Sequence, residues 1–239
     1  MDLGLQGKRA AVAAASAGLG LGAARALAAE GVQVAICGRD QAKVDAAAAE
    51  IGAIGVVADL SDPEAAGPFV EQAAYHLDGT IDIVVANNGG PPAGTFASTD
   101  LDAYRQAVDL NLLASIELCR AAVPPMQVQG WGRVVAITSI GVRMPPPNLV
   151  ASATARAGLT AFLKVLASEV VADGVTVNSV QPGLHDTDRV RQLHGDAEPG
   201  RIGDPDDFGS VVAFLCSQQA GFVTGTSLLV DGGAFPGLV

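Results

Sequence analysis

The sequence predicts an α/β fold in which a parallel sheet is doubly wound, with helices on both faces. Two observations carry this. Short apolar runs at residues 10–15, 32–37, 81–86, 133–138 and 175–180 alternate with longer segments whose apolar residues recur at helical spacing. Such repeated β-α order leads to a parallel sheet. The runs are also nearly unbroken in Val, Ile and Ala, as strands buried on both faces require. At 239 residues and 49% hydrophobic, the chain can bury one substantial core, and no linker, repeat or charge block divides it, so residues 1–239 read as a single domain.

Taken in order, the first strand runs into Ala14-Ala15-Ser16-Ala17-Gly18-Leu19-Gly20-Leu21-Gly22 and then an Ala-rich helix over 23–30. The second strand ends in Ile36-Cys37-Gly38-Arg39-Asp40. Towards the C-terminus, Asp204 is placed to N-cap a helix reaching Cys216, with Pro205 in its first position and Asp206 and Asp207 at its positive end. Residues 226–230, followed by Asp231-Gly232-Gly233, read as a last strand and turn.

The formal charge of -11 argues against nucleic-acid partners and anionic membrane surfaces, which demand clustered Lys and Arg. Cys37, Cys119 and Cys216 are far apart and in no paired spacing, which suggests neither a disulfide framework nor a zinc site and fits a reducing cytoplasm. His76, His185 and His194 are too scattered to suggest a metal. The N-terminal stretch, with Lys8, Arg9 and Arg25, reads as neither signal peptide nor membrane span.

Small residues after the first strand let backbone N–H groups approach a pyrophosphate at a helix N-terminus, where the helix dipole favours negative charge. Ala14, Ser16, Gly18, Leu19 and Gly20 are therefore candidates for holding a dinucleotide. The end of the second strand is where such a unit separates a ribose hydroxyl from a 2′-phosphate. Arg39 can grip the phosphate and Gly38 offers no carboxylate against it, which favours NADP(H); Asp40 keeps NAD(H) open.

With these segments the chain resembles the short-chain dehydrogenase/reductase family over nearly its whole length, in the branch similar to 3-oxoacyl-carrier-protein reductases. That resemblance implies a seven-stranded Rossmann fold. The Gly-rich segment stands for the family's TGxxxGxG, with Ala13 and Ala14 replacing its Thr and first Gly. Asp59, beside Leu60, matches the acid that meets the adenine ring. Asn87-Asn88-Gly89-Gly90 resembles the NNAG turn, with Ala86-Asn87-Asn88-Gly89 an equally good register. Asn111 matches the active-site Asn, Ser139 the catalytic Ser, Pro182-Gly183 the PG motif, and Thr187 the residue that contacts the nicotinamide carboxamide.

The chain departs from the family where a Tyr and a Lys four residues apart are expected. Counting from Ser139, those places hold Ser152 and Arg156. Residues four apart share one helix face, so both can point at the cofactor. A Ser hydroxyl is a far weaker acid than a phenol, and Arg stays protonated, so Arg156 suits holding ribose hydroxyls and adding positive potential. Tyr75 and Tyr104 fall away from the expected site. His185, two residues beyond Gly183, is the candidate proton donor, with an ordered water as the other source. Prolines at 91 and 92, and at 145 to 147, stiffen two loops beside the expected cleft.

These residues imply an NADP(H)-dependent oxidoreductase of ketoreductase type with a small carbonyl or alcohol substrate: Asn111, Ser139, Ser152 and Arg156 form the active site. The rival is a catalytically silent dinucleotide-binding homologue acting as sensor or partner subunit, which loss of the Tyr and Lys favours. A third reading is elimination or isomerisation on the same scaffold. The resemblance further implies a homotetramer or dimer, with helices at 101–123 and 150–171 and the last strand at interfaces. Residues 184–201 are expected to form a mobile loop that shapes specificity.

Overall fold

A computed structural model describes residues 2–194 and 201–238. Its seven strands are β1 (Arg9–Val12), β2 (Gln33–Gly38), β3 (Ile54–Val57), β4 (Ile83–Ala86), β5 (Gly132–Ile137), β6 (Val175–Pro182) and β7 (Ser227–Val230). All pair in parallel in the order β3-β2-β1-β4-β5-β6-β7. The helices are α1 (Gly18–Ala29), α2 (Gln41–Ile51), α3 (Ala66–His76), α4 (Leu101–Val108), α5 (Ala114–Gln129), α6 (Val150–Val170), α7 (Asp188–His194) and α8 (Pro205–Cys216).

Both faces of the sheet are covered, as the apolar runs require. On one face Leu27 of α1 and Phe208, Val212 and Leu215 of α8 pack on Val12, Ile36 and Val85. On the other, Phe69 of α3, Leu118 and Met126 of α5, and Leu159 and Leu163 of α6 pack on Val84, Val134 and Val177. Strand order reverses between β1 and β4, so the crevice at their C-terminal ends is where an open α/β sheet binds ligands.

The expected elements return with shifted ends. β1 stops at Val12, although its ladder continues in Ala13 N–H to Val85 O and Ala15 N–H to Cys37 O. α1 starts at Gly18, five residues before the expected 23, because the Gly-rich segment itself winds into the first helical turns. β3, among the glycines at 52 and 55, is a strand that the apolar runs did not single out. The expected helix at 101–123 is two helices joined by a π-helical turn, Asp109–Leu113, which holds Asn111. Asp204 caps α8 as expected, accepting from Asp206 N–H at 2.8 Å.

Helix α6 with the turn after it, Val150–Asp173, is long and apolar enough to cross a membrane by composition. Here its buried stripe, Ala151, Ala155, Arg156, Leu159, Leu163 and Ala167, is a layer of the α/β core. α1 and α8 cross at their closest through Gly22 and Gly209: a Cβ on Gly22 would run into Pro205 O, and one on Gly209 into Gly22 O.

Candidate active site

The C-terminal ends of the strands carry the candidate residues, and a cleft of about 340 Å³ gathers most of them. Ala14, Gly18 and Leu19 line it from the β1 side, Asn87 from β4, and Ser139 from β5. Ser152 and Arg156 line it from α6, and Pro182, Gly183, His185 and Thr187 from the segment after β6. Ser16, Gly20, Arg39, Asp59, Leu60 and Asn111 lie outside that lining.

The β1–α1 turn is a cradle with no room for a side chain at Gly20. A Cβ on Gly20 would sit 2.6 Å from Asn87 Nδ2 and 2.7 Å from Ala14 O. Ala14 itself is left-handed, at φ 46°, a conformation that costs an L-residue roughly 1–2 kcal/mol. Its carbonyl accepts from Asn87 Nδ2 at 3.0 Å. The N-terminus of α1 has no side-chain cap and no acid in its first turn, so its free N–H groups and dipole face the cleft, as an anionic pyrophosphate needs.

Beyond β2, Arg39 is exposed and a Cβ on Gly38 would meet Ser16 Oγ at 3.0 Å. Asp40 is committed elsewhere: its carboxylate caps α2 by accepting from Lys43 N–H at 3.1 Å. Asp59 accepts from Ser61 N–H and Oγ–H at 3.0 and 2.8 Å. Those hydrogen bonds, aided by Arg39, hold its carboxyl below the usual range. Leu60 is buried beside it.

At the substrate end, Arg156 is buried, with 9% of its surface exposed. Its Nη1 donates to Ile137 O and Thr138 O at 3.0 and 3.1 Å, and its Nε to Ser152 Oγ at 3.3 Å. Burial, with Arg189 as a neighbouring cation, lowers its pKa to about 10, so it stays charged at neutral pH. Ser139 Oγ accepts from Gly141 N–H at 2.9 Å. Asn111 is completely buried, donates from Nδ2 to Gly89 O at 2.8 Å, and leaves Oδ1 with no donor among the described residues. The two proline-bearing loops meet: Gly94 N–H donates to Asn148 O and Val150 N–H to Gly94 O, which seats Leu149 in the cleft wall.

His185, the expected proton donor, is held out of bulk water. The ring lines the cleft but is 4% exposed, packed edge-on to Phe208 with centroids 5.0 Å apart and crowded by Gly203. Burial pushes its pKa down, so the imidazole is neutral at pH 7. Native protonation is therefore disfavoured, and stability is lost as pH falls from the ordinary value near 6.5 towards the lowered one. We expect thermal stability to drop on acidification below about pH 6.5, and His185→Gln to flatten that part of the profile; parallel profiles for both proteins would show that His185 is not the cause.

The segment expected to shape specificity is described at 184–194 and at 201. His185 bridges to Gly203, and α7 follows with Thr187 Oγ1 accepting from Val190 N–H at 3.3 Å; residues 195–200 of that expectation lie outside the described residues. Of the tyrosines, Tyr75 is 82% exposed on α3, whereas Tyr104 packs towards Ala151 and Ala155 of α6 and does not line the cleft. Sequence reasoning missed Arg189, which lines the cleft from α7. Its signal was a cation two residues after Thr187.

A family model described as enoyl-(acyl carrier protein) reductase matches residues 13–234. The 3-oxoacyl-[acyl-carrier-protein] reductase of Aquifex aeolicus is 33% identical over 98% of this chain and 100% of its own. The chain belongs to the short-chain dehydrogenase/reductase family. As a short-chain dehydrogenase/reductase it shares its whole fold with solved relatives. L-sorbose reductase from Gluconobacter frateurii, in complex with NADPH and L-sorbose, superimposes with a TM-score of 0.92 at 28% identity, covering 100% of both chains. A 7α-hydroxysteroid dehydrogenase in complex with NADH and 7-oxoglycochenodeoxycholic acid gives 0.90 at 25% identity, over 100% of this chain and 98% of its own. These relatives make the protein an oxidoreductase of dehydrogenase/reductase type, related to ketoacyl-carrier-protein reductases, and they span both nicotinamide cofactors.

Proposed function

We propose that the protein is an NADP(H)-dependent ketoreductase that works through two serine hydroxyls and a buried guanidinium in place of the family's Tyr and Lys. The observation that carries this is how the two hydroxyls are held. Ser152 Oγ accepts from Arg156 Nε and Ser139 Oγ from Gly141 N–H. Each oxygen has its acceptor side engaged, which leaves each O–H free to donate into the cleft.

The β1–α1 cradle fits a dinucleotide: it leaves no room for a side chain at Gly20 and presents uncapped N–H groups. Ala14, Gly18, Leu19 and Asn87 would hold its phosphate and ribose parts, Leu60 and Asp59 the adenine end, and Pro182, Gly183 and Thr187 the nicotinamide end. When bound, the reduced cofactor supplies a hydride to a carbonyl carbon, so that carbonyl, NADPH and a proton become alcohol and NADP+.

Ser139 and Ser152 donate to the carbonyl oxygen as negative charge develops on it, and the Arg156 cation stabilises that charge in an enclosed site. Asn111, with its unshared Oδ1, orders the water that delivers the proton; Gly89 O links it to Arg156, whose Nη2 lies 3.5 Å away. No proton step passes through Arg156, which is charged at neutral pH, or through His185.

Arg39, with Asp40 tied up as a helix cap, supports preference for the 2′-phosphate. In fluorescence titrations NADPH is expected to bind more tightly than NADH, and Arg39→Ala to raise the NADPH Kd about 10- to 100-fold while leaving NADH little changed. Equal loss for both cofactors would remove Arg39 from this role. Three free, buried thiols support a reducing compartment. Association of copies through the open edge of β7 is supported by Leu228 on that strand and Phe214 and Phe222 nearby, 38%, 42% and 102% exposed.

A further inference from the structure

The cleft holds two arginines with no carboxylate partner among the described residues. Arg156 is held only by carbonyl oxygens and Ser152. Arg189 reaches over the Gly90-Pro91 loop, where Nη2 donates to Pro91 O at 2.6 Å, and its Nε and Nη1 have no acceptor among those residues. The loop is shaped for it: a Cβ on Gly90 would stand 2.7 Å from Arg189 Nε.

This runs against the composition, 25 acidic residues to 14 Lys and Arg. It also runs against the immediate surroundings. Asp186 and Asp188 both precede Arg189 within three residues, yet both pair with Arg191, at 2.7 and 2.9 Å. Asp188 also borders the cleft, but its carboxylate is spent on Arg191, so among the described residues no acid pairs with Arg189 where it faces the cleft. Two half-desolvated or buried cations that repel each other are costly to keep without an anion between or beside them. An anion that enters the cleft relieves both.

Resting on the carbonyl-reducing reading of this cleft, we infer that the substrate is a small oxo acid, or in reverse a hydroxy acid, whose carboxylate is seated on the Arg189 guanidinium. A guanidinium anchored through one nitrogen still offers a fork of donors matched to a carboxylate. The anchored Arg189 thus fixes one end of the substrate, and Ser139 and Ser152 receive its carbonyl oxygen. The only other anion expected in the same cleft is the cofactor pyrophosphate, for which α1 already supplies the donors.

The test is calorimetric titration of the protein saturated with NADP+, which cannot reduce the probe, with acetoacetate and with methyl acetoacetate. Acetoacetate is expected to bind at least about tenfold more tightly than its ester. Arg189→Met is expected to abolish that preference and Arg189→Lys to restore part of it. Equal binding of acid and ester, no binding of the acid, or a preference that survives in Arg189→Met would overturn the inference. So would a loss in Arg189→Met of NADP+ affinity alone, which would place Arg189 on the pyrophosphate. Turnover of neutral ketones with no preference for acids would sink this inference and leave the ketoreductase reading standing. Absence of NADP+ and NADPH binding would sink both.

Discussion

Ser139→Ala lowers kcat for carbonyl reduction about 100- to 1,000-fold and leaves the NADPH Kd unchanged, the expected result of removing one preorganised donor from a developing oxyanion. Ser152→Ala acts in the same direction. The double variant falls short of the product of the two single losses, because both hydroxyls address one oxygen and the effects of groups that act together are not additive. In a site that relied on a general acid elsewhere, Ser152→Ala would cost little and Ser139→Ala would act alone. The split between kcat and cofactor binding separates this from a structural role. Ser139 also caps the 3-10 turn Ile140–Val142 through Gly141 N–H, and loosening that turn would disturb the cleft and cofactor affinity together. Steady-state kinetics with NADPH titrations on all three variants decide the matter.

Gly209→Ala destabilises the fold by about 3 kcal/mol, equivalent to a fall in Tm of about 6–12 °C in a chain of this size. The obstacle to the added Cβ is backbone, Gly22 O and Gly22 C, which has no rotamer by which to move aside. The same holds for Gly22→Ala against Pro205. Both changes push α8 away from α1, whose N-terminus forms the cradle, so NADPH affinity weakens along with stability. Gly67→Ala serves as a control: it lies in α3, nothing stands within 4 Å of its added Cβ, and its φ is not positive. It stabilises by up to about 1 kcal/mol through lower chain entropy in the unfolded state. Thermal melts in which Gly209→Ala and Gly67→Ala move Tm alike would contradict the close helix crossing.

The strands were legible because burial on both faces leaves an unmistakable apolar run, and the site was legible where it sits at a strand end. Ser139 follows β5 and Gly183 follows β6, so finding the strand finds the residue. β3 was harder: with glycines at 52 and 55 and Val57 exposed at 46%, an edge strand need not read as a buried one. Nothing in Asp109-Leu110-Asn111-Leu112-Leu113 announces a π turn, a rare backbone widening that occurs mostly as a single turn within a longer helix. The burial of His185 was not legible for a related reason. A histidine after a PG turn has the right pKa for proton transfer in water, and only the neighbouring Gly203 and Phe208, brought in from α8 and the segment before it, take it out of water. Arg189 shows the converse: its importance lies in Asp186 and Asp188 turning to Arg191, a choice of partner that one-dimensional spacing leaves open.

The central claim is that hydride chemistry proceeds here with no tyrosine in the cleft. Its most direct measurement is NADPH oxidation by the wild-type protein at saturating cofactor, followed by absorbance against a panel of ketones, oxo acids and 3-oxoacyl thioesters. The account predicts oxidation that depends on substrate and yields the alcohol in equal amount. Tight NADPH binding with no turnover across the panel would contradict it.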